Sequence, residues 1–338
     1  MRFGIFDHME FRDGQLDRLY EERLDMLERA DAAGFWCYHK AEHHFVRLDA
    51  APSSNVFMAA LSQRTKRLRF GSLVYLLPFY EPLRLIEEIC AVDHLSGGRL
   101  EVGVGKGISP AEHRLWGHDP DGARDHFEEA FEILRMGLTE AVVNHHGDLY
   151  QFQDAKMPQR PFQTPHPPLW YPGNVDYAGR HRLNTVVGGP VPLVANAVTA
   201  YNELIAGAEE NWNPGVENPT IGVTRHIFVA DTDAEALATV RRAYPVYHQN
   251  LAYLFKKYGV EFSGIGDPSF GGDVDVALGF EGLIAGSPAT IVEHIERLRD
   301  EAGVQYAIHA FAWGDLSHAE ACSSLQLFAS EVMPAFAD

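Results

Sequence analysis

The chain has 338 residues, 46% hydrophobic and 11% aromatic, with 30 Gly and 19 Pro spread along it, which allows a sizeable core and many turns. Its 47 acidic side chains outweigh 28 basic ones, and the formal charge of -19 sets it against nucleic acid or an anionic membrane surface as a partner. No apolar run approaches the roughly 20 residues of a bilayer span, and the opening Met1 to Asp7 lacks the apolar stretch of a secretory signal, so a cytoplasmic location is expected.

Arg2 to Phe6 reads as a strand. Leu16 to Ala33 repeats its apolar residues at helical spacing, through Leu19, Leu24, Leu27 and Ala30, and stops at Gly34. A second strand follows at Phe35 to His39, a helix at 52 to 63, a third strand at Leu68 to Leu77, and a helix at Leu83 to Leu95 closed by Gly97 and Gly98. Arg99 to Val104 is the fourth strand, and helix 123 to 140 leads into a Pro-rich stretch around 144 to 167, read as a loop with a hairpin. Later strands are expected at Leu169 to Pro172, 184 to 188, 221 to 229 and 304 to 309.

Strands alternating with amphipathic helices imply parallel pairing through right-handed crossovers. The count of eight strands suits a closed barrel, and no Ser/Gly or charged linker divides the chain. The expectation is therefore an α/β fold, a (β/α)8 TIM barrel spanning residues 1–338 as a single domain. Residues 245 to 285, rich in glycine from Gly259 to Gly272, fit no simple βα unit and read as an insertion or lid at the strand C-terminal face. Cys37, Cys90 and Cys322 are odd in number and far apart, which suggests buried free thiols and neither a disulfide framework nor a cysteine-based metal site.

The run from His39 to Phe45 follows the second strand, which puts it at the barrel's C-terminal mouth, where active sites of this fold lie. His39, Glu42 and His43 also match an inverted zinc-protease spacing, but that chemistry needs a helix carrying both histidines, and Trp36 to Tyr38 is strand-like; no metal is expected here. His43 is the candidate proton-transfer group, with Glu42 to orient it; the bland alternative is that the histidines satisfy loop carbonyls. Gly103 to Gly107 comes directly after the fourth strand, so backbone there can approach a ligand while Lys106 pairs with a phosphate. It is neither a Rossmann motif, since Ile108 to Pro110 intervene before any helix, nor a P-loop, since Gly107 stands where magnesium needs Ser or Thr. Phe6, Tyr75, Phe79, Trp170 and Trp313 cluster near strand ends and could line a pocket for an apolar or aromatic substrate, or simply pack the barrel.

Several stretches together resemble the bacterial luciferase-like flavin-dependent monooxygenase family. They are Met1 to Gly4, Glu42-His43-His44-Phe45, Leu76-Leu77-Pro78 with Pro82, Asp93 to Arg99, Gly286-Ser287-Pro288, and Leu327 to Pro334. The resemblance implies a barrel that takes reduced FMN from a separate flavin reductase, adds O2 through a C4a-peroxyflavin, and oxygenates a small organic substrate. It also implies that His43 falls on the family's catalytic histidine and that Lys106 replaces an arginine at the flavin phosphate. Ile108 matches an adjacent contact, and Gly105 stands where luciferases carry a cysteine. Leu73-Val74 falls on a non-prolyl cis peptide beneath the flavin ring, and Pro172, Gly173 and Asn174 on backbone contacts to it. Val175 and Ala178 replace hydroxyl residues near the phosphate, which leaves backbone amides or Arg180 to serve. Pairing into a homodimer through early helices is a further implication. The alternatives within the same fold are a deazaflavin-dependent oxidoreductase and a non-catalytic flavin-binding protein.

Overall fold

Most of the short apolar runs become strands because helices outside and side chains within bury both faces; Tyr306–Ala310 is buried at every position. The computed structural model describes residues 1–11, 15–257 and 270–337. The strands are β1 (Arg2–Asp7), β2 (Cys37–Lys40), β3 (Arg69–Leu76), β4 (Leu100–Gly105), β5 (Val142–His146), β6 (Gln151–Lys156), β7 (Leu169–Trp170), β8 (Thr185–Val187), β9 (Ile221–Val229), β10 (Leu283–Gly286) and β11 (Tyr306–Ala310).

Parallel ladders run from β1 through β2, β3 and β4 to β7. Trp170 then bridges to Asn184, just ahead of β8, where the Tyr171 amide donates to the Asn184 carbonyl at 2.8 Å and the Asn184 amide to Leu169 at 3.0 Å. From β8 the ladders continue through β9 and β11 back to β1, so eight strands meet in a ring of the TIM-barrel type. The hairpin expected in the Pro-rich stretch is present as β5 and β6, antiparallel and outside the ring. β10 is an addition that pairs with the last part of β9.

The barrel interior is filled. Cys37, Leu73, Trp170, Tyr306 and Ile308 form one buried cluster, and Gly4 is bare because a Cβ there would lie 2.0 Å from the Tyr306 hydroxyl. Glu101 sits among them, paired with Arg69 and accepting the Trp170 indole N–H at 2.6 Å; burial pushes its carboxyl up.

The reading of 245 to 285 as one excursion needs correction. Its first part is the end of a helix, Asp233–Lys257, that runs through Pro245. Val240, Tyr244, Tyr247 and Leu251 recur at helical spacing and are all buried in one cluster, and that packing carries the helix past the proline. Its last part is the helix Val274–Gly279 and then β10, while 258–269 lie outside the described residues. The long helix is tied over the mouth by Glu10. This carboxylate, just beyond β1, accepts from Asn250 Nδ2 at 2.8 Å and from the Gly314 amide beyond β11 at 3.0 Å. Among the described residues no helix is long and apolar enough to cross a membrane.

Candidate active site at the barrel mouth

The loop after β2 is shaped by a fully buried ion pair. Lys40 Nζ meets Asp49 Oδ2 at 2.8 Å and donates to the Ala41 carbonyl at 2.7 Å. Asp49 also accepts from the backbone amides of His43 at 3.1 Å and Ala51 at 2.8 Å, so one carboxylate fixes both the turn and the residue that presents the imidazole.

His43 Nδ1 lies 3.7 Å from Glu112 Oε1. Glu112 comes from the short helix Pro110–Leu115, which opens on Ser109 just after the glycine-rich turn, and its buried carboxylate also takes the His44 amide at 2.6 Å. Burial works to lower the basicity of His43, but the hydrogen bond and charge of Glu112 outweigh it, and the imidazole is held above its ordinary value. Glu42 does not orient His43 as the sequence suggested. Glu42 instead accepts from the Tyr80 hydroxyl at 2.7 Å, approaches His44 Nε2 at 3.1 Å, and takes the Ser54 hydroxyl at 3.4 Å.

Across the mouth, the His8 ring stacks 5.6 Å from His43 and 6.4 Å from His226, and His226 lies 4.2 Å from the Tyr247 ring on the long helix. Burial drives His8 well below its ordinary value and His226 to about 3, so both are neutral bases at physiological pH. His226 Nε2 is buried without a hydrogen-bond partner among the described residues. On the other flank Phe79 packs 4.8 Å from His113, 5.7 Å from His44 and 5.9 Å from Trp116.

The remaining expected residues divide into those at strand ends and those in the core. The Leu73-Val74 peptide bond is cis. Beside it β4 approaches so closely that a Cβ on Gly103 would lie 2.4 Å from the Ser72 carbonyl oxygen, and one on Gly105 2.7 Å from Val74 Cγ2. Lys106 and Ile108 follow, both exposed. Pro172 is half-buried, and Gly173, at φ 86°, faces open space. Asn174 caps the helix Val175–Arg180 by accepting the Tyr177 amide at 2.9 Å, and half-buried Val175 packs against the core. β3, β4 and β7 are successive in the ring, so an apolar floor, an amine and an open backbone edge stand side by side. That set suits a flat ring system bearing an anionic tail.

Arg180, by contrast, sits at the far end of its helix, exposed and paired with Asp176 at 2.8 Å. Trp170, Tyr75 and Trp313 are fully buried: Trp170 donates to Glu101, Tyr75 to Asn55 Oδ1 at 2.5 Å, and Trp313 to the Ala310 carbonyl at 3.0 Å. Phe6 is half-buried beneath His8, their rings 4.8 Å apart, and Phe79 lies at the rim. Sequence reasoning missed Glu112, the Lys40–Asp49 pair, His8 and His226. For His8 the signal was available, since it stands one residue beyond a barrel strand.

A family model described as luciferase-like monooxygenase matches residues 1–306. The oxygenase component of a flavin-dependent trigonelline monooxygenase from Acinetobacter baylyi is 28% identical, covering 100% of this chain and 96% of that protein. The oxygenating constituent of 3,6-diketocamphane monooxygenase from Pseudomonas putida, solved with FMN, superposes with a TM-score of 0.78 at 20% identity, over 99% of this chain and 98% of that one. A coenzyme F420-dependent tetrahydromethanopterin reductase from Methanopyrus kandleri gives 0.74 at 18% identity, over 99% of both chains.

Proposed function

The chain belongs to the luciferase-like monooxygenase family, and from that premise we propose that it is the oxygenase component of a two-component FMN-dependent monooxygenase. It takes reduced FMN from a separate reductase, uses O2, and oxygenates a small apolar or aromatic compound. The observation that carries this reading is His43 at the strand C-terminal mouth with the Glu112 carboxylate at 3.7 Å. Reduced FMN, when bound, supplies the electrons that activate oxygen.

The protein's own residues do the rest. Leu73 and Val74 form the floor for the ring system, the backbone of Pro172 to Asn174 its edge, and Ile108 a flank. The Lys106 amine holds the phosphate as a point charge rather than a planar fork. With Nδ1 turned to Glu112, His43 presents Nε2 to the mouth, and that nitrogen hands over or receives the proton. The Asp233–Lys257 helix, held by Glu10, keeps bulk water from the proton-transfer site. Two copies pair through early helices, where Val56 is 71% and Leu95 54% exposed.

An anaerobic titration with reduced FMN, set against reduced deazaflavin, tests the cofactor. Binding of FMN with slowed reoxidation relative to free flavin supports the reading, and binding of deazaflavin alone replaces it with hydride transfer. The net charge of -19 speaks against a cofactor with a polyanionic tail. His43→Ala is expected to leave reduced-FMN affinity nearly unchanged while turnover falls about 10²- to 10⁴-fold; unchanged turnover removes His43 from the mechanism.

A further inference from the structure

On the helical wall, the first helix and the helix after β11 bring together three side chains with no role in the reading above. Asp25 comes from Leu16–Ala33, and His318 and Cys322 lie one turn apart on His318–Leu327. His318 Nε2 is 2.9 Å from Asp25 Oδ2, Cys322 Sγ is 3.6 Å from each imidazole nitrogen, and the three donor atoms lie within 4.8 Å of one another. Cys322 is buried, Asp25 and His318 are half-buried, and a small crevice lined by Glu22, Arg23 and His318 opens beside them.

We propose that Asp25, His318 and Cys322 form a binding site for a divalent zinc-type cation. The donor set, one thiolate, one imidazole and one carboxylate, is that of tetrahedral zinc. With metal bonds of about 2.0–2.1 Å to nitrogen and oxygen and about 2.3 Å to sulfur, tetrahedral geometry separates nitrogen from sulfur by about 3.5 Å and nitrogen from oxygen by about 3.4 Å. The first separation is present at 3.6 Å, and the second needs the 2.9 Å hydrogen-bonded pair to open by a side-chain adjustment. Glu22, one turn before Asp25, or a water completes the shell.

Arg29 is the competitor, with its Nε 2.9 Å from Asp25 Oδ2 and Nη2 3.4 Å from Oδ1. The cation takes Oδ2 and leaves Oδ1 to the arginine. Binding releases the thiol proton to solvent and engages a neutral imidazole, with no change of oxidation state. Cysteine spacing in the sequence could not reveal such a site, because its carboxylate lies 293 residues from its histidine.

The test is titration of the metal-free full chain with Co²⁺, watching for a thiolate-to-cobalt charge-transfer band, and competition of that band by Zn²⁺. One equivalent of a tetrahedral cobalt spectrum is expected. Cys322→Ser should abolish the charge-transfer band and weaken Zn²⁺ at least tenfold, Cys90→Ser should leave both unchanged, and Arg29→Gln should tighten binding. Zn²⁺ should also protect Cys322, but not Cys90, from alkylation in the unsubstituted protein, a readout that needs no folded variant. Absence of the band, its survival in Cys322→Ser, or alkylation of Cys322 indifferent to Zn²⁺ overturns the proposal.

Discussion

Replacing Lys40 by Met leaves the Asp49 carboxylate buried without its cation. Both side chains are 0% exposed and 2.8 Å apart, so bulk solvent does not reach the carboxylate to take the place of the ammonium group. Breaking a buried pair by removing one partner costs about 3–5 kcal/mol. For a chain of this length the unfolding entropy is roughly 0.7 kcal/mol per degree, so the melting temperature should fall by about 4–7 °C. Function should fall with it, because Asp49 holds the His43 amide at 3.1 Å and the loop loses its fixed turn. The double variant Lys40→Met/Asp49→Asn removes both charges but keeps an oxygen acceptor for the amides of His43 and Ala51. It should recover most of the lost stability. Thermal unfolding followed by circular dichroism, with flavin-dependent turnover measured on the same preparations, is the assay. A single variant that melts within 1 °C of the parent (about a fifth of the expected fall), or a double variant no more stable than the single one, would refute the reasoning.

Glu112→Gln removes the charge that holds His43 above its ordinary value while keeping an acceptor for the His44 amide. A raised histidine contributes stability that is full below the unfolded value of about 6.5 and lost as pH rises through the folded one. The variant should therefore lose more stability against the parent near pH 6 than above about pH 8, and the kinetic limb that follows protonated His43 should move to lower pH; equal losses at both pH values contradict the pairing. Gly103→Ala and Gly105→Ala should both destabilise, by about 1–3 kcal/mol where a neighbour can shift. Gly103→Ala should be the worse of the two, because its Cβ meets the Ser72 backbone at 2.4 Å whereas the Gly105 Cβ meets only the end of the Val74 side chain at 2.7 Å. Chemical denaturation ranks them, and the reverse order would contradict the close approach of β3 and β4.

The fold was legible where a local signal agreed with the tertiary environment. Ile221–Val229 is apolar enough at alternate positions to mark its own limits, and Leu16–Ala33 ends at a glycine that the structure places at φ 91°. The long helix through Pro245 was illegible because a helix breaker outvotes periodicity in a local reading, while the packing of Tyr244, Tyr247 and Leu251 that overrides it is tertiary. At the site, His43 was legible because it lies close behind a strand end. Its partner Glu112 was not, since it arrives from a different loop 69 positions later and only the meeting of β2 and β4 ends across β3 joins them. Tyr75 stands near the end of β3, which offers it either to a pocket or to the packing of the barrel; the register shifts between Ser72 and Tyr75, and the side chain reaches Asn55 on the neighbouring helix.

The filled barrel beneath the mouth also determines traffic. Trp170, Tyr306 and Ile308, with the Arg69–Glu101 pair among them, fill the ring among the described residues, so a ligand that reached Leu73 and Val74 would come and go by the rim. Two ligands sharing such a cul-de-sac cannot exchange independently. One lying against the floor would arrive first and depart last, an order imposed by the plug rather than by the affinity of either ligand.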